Sequence, residues 1–300
     1  NLKKEDTIFS NHRCHGHYIA HGGSIAVLFS EFMSKEAGMC AGRGGSQHIH
    51  ENRFYSNGIQ GGIVPNAVGM AWAEKIYGTD NIGVVFLGDG TLGQGVVYES
   101  FNFAALKKIP VIFIVEDNMY AMSTKNVDGI SGSISLRARA FDIQTEEITS
   151  TDVEEISRAC EKAVNSVRGN KTPFCLIVHN CRLAAHSKGD DYRSEAELNA
   201  WKKADPLLVA AAKLSLQERK LCEDEISEEI ENALVFSEKS RVNFDKQLAN
   251  EQMFPSCSSL LSSSTNRMAE EIREGLREGL DSCDNVLLLG EDIRDPYGGA

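Results

Sequence analysis

The sequence predicts an α/β fold: a parallel sheet with helices on both faces, followed by a helical extension and the start of a second α/β domain. Residues 83–87 (Gly-Val-Val-Phe-Leu) and 111–115 (Val-Ile-Phe-Ile-Val) are continuous apolar runs, as strands buried on both faces require. Residues 94–107, between them, have the length and apolar periodicity of a crossover helix, which makes the three segments one βαβ unit. Beyond residue 265 a helical pattern and an apolar run recur, and this marks the second domain.

The remaining elements follow in order. Residues 24–35 read as a helix with Ala26, Leu28, Phe29 and Phe32 available to pack, and a glycine-rich loop, Gly42-Arg43-Gly44-Gly45-Ser46, comes after it. Pro65 opens a helix to about Tyr77, because proline gives up an N–H that the first turn leaves unpaired anyway. Residues 123–135 are polar and contain glycine, and they read as a surface loop over the crevice. A helix over 152–167 precedes a strand over 174–179. Residues 202–216 and 217–244 are mainly helical, with Ile226, Ile230 and Leu234 recurring every four residues against an acidic, solvated face. Six serines in 255–264 mark a linker. Met268, Ile272, Leu276 and Leu280 then define a helix, and 286–289 a strand entering Gly290-Glu291-Asp292. The resulting divisions are 1–205, 206–253, 254–264 and 265–300.

Composition narrows the function classes. A net charge of −12 argues against a general nucleic-acid binder, and no apolar run reaches the length of a membrane span. No secretory signal is visible, and the eight cysteines form no C-x-x-C pair or dense disulfide spacing, so they read as reduced thiols of an intracellular protein. The absence of an initiator Met and the Gly298-Gly299-Ala300 end point to a piece of a longer polypeptide.

The chemistry collects where the two apolar strands end. One runs into Gly88-Asp89-Gly90 and the other into Glu116-Asp117-Asn118, and ligands of open parallel sheets bind beyond the carboxyl ends of the strands. A carboxylate and an amide oxygen thus face one crevice, and such hard oxygens suit Mg²⁺, which completes its shell with phosphate oxygens and water. Gly88 and Gly90 carry no Cβ and let backbone amides approach a phosphate, and the following helix offers its N-terminal amides to the same anion. A magnesium diphosphate site is the expectation.

Twenty-seven residues separate Gly90 from Asn118, and a Gly-Asp-Gly with this gap before an Asn resembles the thiamine diphosphate signature. More broadly, residues 11–205 resemble the α-type chain of the decarboxylating first component of 2-oxo acid dehydrogenase complexes. The matching stretches are Arg13-Cys14-His15-Gly16-His17, Gly42-Arg43-Gly44-Gly45-Ser46, Asn57-Gly58-Ile59 with Val64-Pro65, and the segment from Gly88 through Tyr120. Arg182, His186-Ser187 and Asp190-Asp191 complete the series in family order. Residues 265–300 resemble the opening of the β-type chain, through Gly290-Glu291-Asp292-Ile293 and Asp295-Pro296-Tyr297-Gly298-Gly299. The resemblance therefore implies fused α-type and β-type halves joined by the serine-rich segment.

It also implies a thiamine-diphosphate-binding fold and roles for particular residues. Asp89, Asn118 and the backbone carbonyl of Tyr120 would bind Mg²⁺. Gly88, Asp89, Gly90 and Asn118 would form the cofactor site. Arg13 would meet the diphosphate, as a guanidinium matches phosphate oxygens. Gly58 and Gln60 would lie by the aminopyrimidine ring. His15 and His186 would be the active-site histidines, since imidazole exchanges protons near neutral pH. His12 stands where the family usually has tyrosine, and Ala184-Ala185 where many members have His-Gly. Ser187 falls at a position that some relatives phosphorylate.

The implied reaction is oxidative decarboxylation of a 2-oxo acid with acyl transfer to lipoamide, the cofactor supplying the hard chemistry. Pyruvate and branched-chain acids both remain open, with a lean to the branched-chain or broad-specificity side. Implied partners are the β-type half, with its activating glutamate beyond Ala300, and a lipoyl-bearing acyltransferase, in a homo-oligomer of the cytoplasm or mitochondrial matrix. These 300 residues alone would have little activity. Acetoin dehydrogenase shares the motifs, and a non-catalytic Mg²⁺-nucleotide-binding scaffold is the rival from another class; an intact downstream half separates them. A transketolase-like enzyme leaves residues 13–17 and 186–191 unexplained, and no G-x-G-x-x-G opens a helix as a dinucleotide enzyme needs.

Several features carry blander readings too. His12, Cys14, His15, His17 and His21 form a set that zinc would use, although the resemblance accounts for Arg13 and His15 without it, and His17 and His21 read as structural. The Gly42–Gly45 loop is either a flexible turn or a phosphate cradle. Arg137 and Arg139 are helix-surface charges by default, with the access loop as the alternative. Glu99 is either a surface carboxylate or faces a partner's active site.

Overall fold

The computed structural model describes residues 2–186, 193–243 and 267–288. The centre of its sheet is assembled from strands that are apolar on both sides. In chain order, β1 (Thr7–Ser10) precedes α1 (His15–Ala20) and α2 (Ile25–Phe32), then β2 (His50–Glu51), β3 (Phe54–Ser56) and α3 (Ile63–Ile76). The predicted βαβ unit is β4 (Gly83–Gly88), a short 3-10 turn over Asp89–Gly93, α4 (Gly95–Leu106) and β5 (Val111–Asp117). A small hairpin, β6 (Tyr120–Ala121) with β7 (Thr124–Lys125), is followed by α5 (Asn126–Gly129) and α6 (Ile134–Arg139). The series β8 (Gln144–Thr149), α7 (Val153–Asn170) and β9 (Phe174–His179) closes the sheet.

The strand order is β2-β3-β1-β4-β5-β9-β8, parallel throughout except for the antiparallel β2–β3 pair. Alternate residues divide between two cores, as the two-residue period of a strand demands. Val85, Leu87, Val111, Phe113, Val115 and Ile177 pack with α3, α4 and α6 on one face. Val84, Ile112, Ile114, Phe174, Leu176 and Val178 pack with α1, α2 and α7 on the other. Helices therefore cover both faces, as expected.

Several boundaries differ from the sequence reading for identifiable reasons. Helix α2 starts at Ile25 because Ser24 caps it, its hydroxyl accepting the Val27 N–H at 3.4 Å, and it stops at Phe32 ahead of Ser34, whose φ of +56° is left-handed. Pro65 sits at the third position of α3, still within the turn whose N–H groups need no partner. The 123–135 segment is not a plain loop but holds β7, α5 and the start of α6. Among described residues, 286–288 form no strand; the apolar run has no neighbouring strand to complete its ladder, and its side chains are exposed.

The chain divides into two compact units, residues 1–243 and 244–300. In the first unit, α8 (Glu195–Lys202), α9 (Pro206–Ala211) and α10 (Leu216–Lys239) follow the sheet. A Ser215–Glu218 capping box opens α10, and its far end packs on α2, where Ser237 Oγ and Ser30 Oγ approach to 3.0 Å. The chain then runs back along the segment that leads into the glycine-rich loop, with the Asn243 N–H on the Ser34 carbonyl at 2.9 Å and its side-chain amide on the Ala41 carbonyl at 2.6 Å. In the second unit, α11 (Met268–Ser282) presents Met268, Ile272, Leu276 and Leu280 to solvent. The serine-rich linker, the Gly290-Glu291-Asp292 turn, Ser187 and Asp190-Asp191 lie outside the described residues.

Candidate functional site

The carboxyl ends of β4, β5 and β9 and the start of α1 enclose a cleft of about 480 Å³. Arg13, Gln60, Gly88, Asp89, Gly90, Asn118, Tyr120 and His186 all line it, so most of the predicted site residues meet in one place. His15 and Gly58 do not line it. The His15 ring sits on Phe32 at 4.7 Å, with Nε2 within 2.8 Å of the Ser46 carbonyl.

Asp89 is the electrostatic centre. It is 1% exposed, and its Oδ2 has no hydrogen-bond partner. Burial, and after it the charge of Asp117, pushes the Asp89 carboxyl up to about 6. A buried carboxylate oxygen without a partner costs free energy, and a divalent cation there would offset both the desolvation and the repulsion. Asn118 stands on the adjacent strand end, its Oδ1 accepting the Tyr120 N–H at 3.1 Å. The Tyr120 side chain turns to α8, donating to Glu197 at 2.9 Å and meeting Trp201 edge-on. One carboxylate, one amide oxygen and a neighbouring backbone carbonyl form a hard-oxygen donor set that fits Mg²⁺.

The two glycines of Gly88-Asp89-Gly90 do different work. A Cβ at Gly88 would meet nothing within 4 Å, which leaves room at the cleft floor for a phosphate. A Cβ at Gly90, which also lines the cleft, would lie 2.4 Å from the Ala121 methyl, so that glycine makes room for the Tyr120–Ala121 strand. Nor does the crossover helix start directly after Gly90: the 3-10 turn intervenes and α4 begins at Gly95. The backbone amides that follow Gly90 are therefore those of the turn.

The opposite wall is basic and imidazole-rich. Arg13 donates from its guanidinium to the His186 carbonyl, and its backbone N–H is held by Asn11 Oδ1 at 2.8 Å. Gln60 Nε2 lies 3.0 Å from His12 Nδ1, so Gln60 orients His12. Burial, then Arg13 and His186, hold the His12 pKa below the ordinary imidazole value. The His12 and His186 rings are 5.7 Å apart.

The sequence reading missed Asn11, Glu116 and Cys181, which also line the cleft. It treated His17 as structural, yet His17 lines the cleft, stacked on Phe86 with Nε2 3.4 Å from Glu116. Position at a strand end was the available signal for Glu116 and Asn11.

The features with two readings divide as follows. The histidine–cysteine set builds no zinc site: Cys14 is buried in the core and the histidines face different partners. Among the described residues no three His, Cys, Asp or Glu side chains converge as metal ligands. The glycine-rich loop is not an open phosphate cradle, because the Glu31 carboxylate accepts the backbone N–H groups of Cys40, Gly42, Gly44 and Gly45 at 2.7–3.1 Å. Arg137 is not a plain surface charge; it donates to Tyr98 Oη and to the Ser131 carbonyl, and its Nε is buried. Arg139 and Glu99 are exposed. No helix among the described residues is long and apolar enough to cross a membrane.

Comparison with known proteins adds an independent line. The profile described as "Dehydrogenase E1 component" matches residues 1–246. The chain is 35% identical to the pyruvate dehydrogenase E1 component subunit alpha of Rickettsia bellii, over 82% of this chain and 79% of that protein. It is 37% identical to the protein of the same name from Rhizobium meliloti, over 71% and 64% respectively. The testis-specific mitochondrial form from Rattus norvegicus is 30% identical, over 79% and 63%.

Proposed function

The chain belongs to the dehydrogenase E1 component family, the thiamine-diphosphate-dependent 2-oxo acid dehydrogenases, and from that premise we propose that it supplies the α-type half of an active site for oxidative decarboxylation of a 2-oxo acid, with acyl transfer to lipoamide. The observation that carries the site assignment is the unpartnered, buried Asp89 Oδ2 in a cleft shared with Asn118 and Tyr120.

Asp89, Asn118 and the Tyr120 carbonyl would hold Mg²⁺, and Arg13 with the open floor at Gly88 would receive the diphosphate. Thiamine diphosphate, when bound, supplies the electron sink that decarboxylation needs. Gln60 and Gly58 would flank the aminopyrimidine. Gln60 also fixes His12 at the cleft wall. His186 lines the cleft and would pass protons to and from the substrate. His15, the first residue of α1, would share that work from outside the lining, where its ring packs on Phe32. Tyr98 and Arg137 tie α4 to α6 next to this end of the sheet.

The partners proposed are a β-type half, fused downstream or carried on a second chain, and a lipoyl-bearing acyltransferase, in a homo-oligomeric assembly of the cytoplasm or mitochondrial matrix. Pyruvate is the first substrate to test because the relatives bear its name, with branched-chain 2-oxo acids next.

The test is acceptor-coupled turnover by the enzyme assembled with its β-type half, over a panel of 2-oxo acids and acetoin, with and without thiamine diphosphate and Mg²⁺. Cofactor-dependent turnover of a 2-oxo acid, lost in Asp89→Ala, is expected. Turnover of acetoin alone, or none with any acid while the cofactor still binds, overturns the assignment.

A further inference from the structure

Resting on the metal-site reading above, we infer that His179 is a positioning residue of that site: by bridging Asp117 and Glu147 it fixes the turn that presents Asn118 and Tyr120, and so sets how tightly a divalent cation is held beside Asp89.

The bridge follows from strand register. Strands β5 and β9 pair Asp117 with His179 at their carboxyl ends, and β8 lies on the far side of β9. The His179 Nδ1–H donates to Asp117 Oδ2 at 2.8 Å, and Nε2 lies 3.3 Å from Glu147 Oε2. Asp117 is 4% exposed, so a charge there needs partners. Its other oxygen, Oδ1, accepts the Met119 N–H and the Asn126 amide, both at 3.0 Å. One carboxylate thus fastens both ends of the loop that carries Asn118 and Tyr120.

That loop needs fastening. Met119 and Met122 have φ of +67° and +57°, a left-handed conformation that side chains other than glycine disfavour. The Asn126 N–H closes back on the Met119 carbonyl at 2.9 Å. Without His179, Asp117 Oδ2 would be a buried anion lacking its donor, in a carboxylate that already acts on the buried Asp89. The simplest relief is for Asp117 to swing toward solvent, which releases Met119 and Asn126 and lets the turn relax. Asp117, His179 and Glu147 are absent from the cleft lining, so they act through the loop and, for Asp117, also through its charge on Asp89.

The experiment uses the enzyme assembled with its β-type half and freed of cofactor, with Mn²⁺ as the probe in the presence of thiamine diphosphate. Free Mn²⁺ is read by electron paramagnetic resonance, and folding by thermal melting. His179→Ala should weaken Mn²⁺ binding by about 10-fold or more, as loss of a group that orients metal ligands does, while the melt stays that of a folded enzyme. His179→Asn, whose amide donates from near the Nδ1 position, should return the affinity to within about 3-fold of wild type. If His179→Ala does not assemble, His179→Gln replaces it, since its amide reaches past Asp117 and should weaken binding likewise. Wild-type affinity in His179→Ala, or in His179→Gln where that replaces it, with Asp89→Ala binding lost, overturns the inference and leaves the metal site standing. Wild-type affinity in Asp89→Ala removes the metal site and the inference together.

Discussion

Glu31 Oε1 accepts the backbone N–H of Gly44 at 2.7 Å, and the carboxylate, with no solvent exposure, fills the anion nest of the glycine-rich loop from inside the protein. Three more backbone donors, from Cys40, Gly42 and Gly45, converge on it. Glu31→Ala leaves these donors buried without an acceptor, at about 1–3 kcal/mol each before relaxation. The expected net loss is about 3 kcal/mol of unfolding free energy in urea, and Glu31→Gln should lose less because one oxygen remains. A loss under 0.5 kcal/mol for Glu31→Ala would show that the loop does not depend on this charge.

The same loop shows where the sequence was legible and where it was not. Strands β4, β5 and β9 were readable because strands covered on both faces must be apolar throughout. Strand β8, Gln-Thr-Glu-Glu-Ile-Thr, was not, because an edge strand with half-buried polar side chains has no such signature. The cleft's glycine, carboxylate and amide were readable from their places after the apolar strands. The role of Gly44 was not, since a glycine-rich loop built around a phosphate and one built around a buried glutamate carry the same local residues. Only the position of Glu31, thirteen residues earlier on α2, separates them. His17 escaped for a related reason: the cleft joins β1, α1 and β5, and no local pattern announces that meeting.

Gly88 and Gly90 should respond oppositely to alanine. At Gly88 the backbone has φ −74° and the space is open, so Gly88→Ala should fold with stability within about 0.5 kcal/mol of wild type. Its methyl would instead occupy the cleft floor and weaken thiamine diphosphate binding about 10-fold or more. Gly90→Ala drives a methyl to 2.4 Å from Ala121 and should cost about 1–3 kcal/mol through overpacking. Thermal melts and cofactor titrations of both variants decide the matter; a Gly88→Ala enzyme with unaltered affinity would place the diphosphate elsewhere.

Asp89 makes the metal-free protein less stable as pH rises. Its carboxyl is pushed up to about 6 by burial and by Asp117, whereas the unfolded chain titrates near the usual ~4. Between those values the native state keeps a proton that the unfolded state has shed, so stability is highest below about pH 4 and falls through about pH 6. Two units correspond to about 3 kcal/mol. Asp89→Asn removes this penalty: in chelator it should be more stable than wild type by up to about 3 kcal/mol at pH 7.5, and by only about 1 kcal/mol at pH 4.5. Urea unfolding at the two pH values measures the difference, and a pH-independent offset would sink the argument. Mg²⁺ with cofactor should restore the wild type alone, since an ion that binds only the native state stabilises it.

Arg13 faces two competing acceptors. In the free protein its guanidinium holds the His186 carbonyl, but it also lines the cleft where a diphosphate would lie. A phosphate anion is the stronger acceptor, because the hydrogen bond then joins two charges. Binding should therefore exchange one bond for the other and free the backbone at His186, moving that histidine relative to His12. Arg13 is exposed, so Arg13→Ala should change the melting temperature little, while thiamine diphosphate affinity falls by about 10- to 100-fold, the worth of a charge-assisted pair at ~1.5–3 kcal/mol. Arg13→Lys should recover only part of it, since an ammonium keeps the charge but not the two-pronged geometry. Cofactor titration of the assembled enzyme by fluorescence quenching reads all three; equal affinity in wild type and Arg13→Ala would leave the guanidinium a purely structural clasp on the His186 carbonyl.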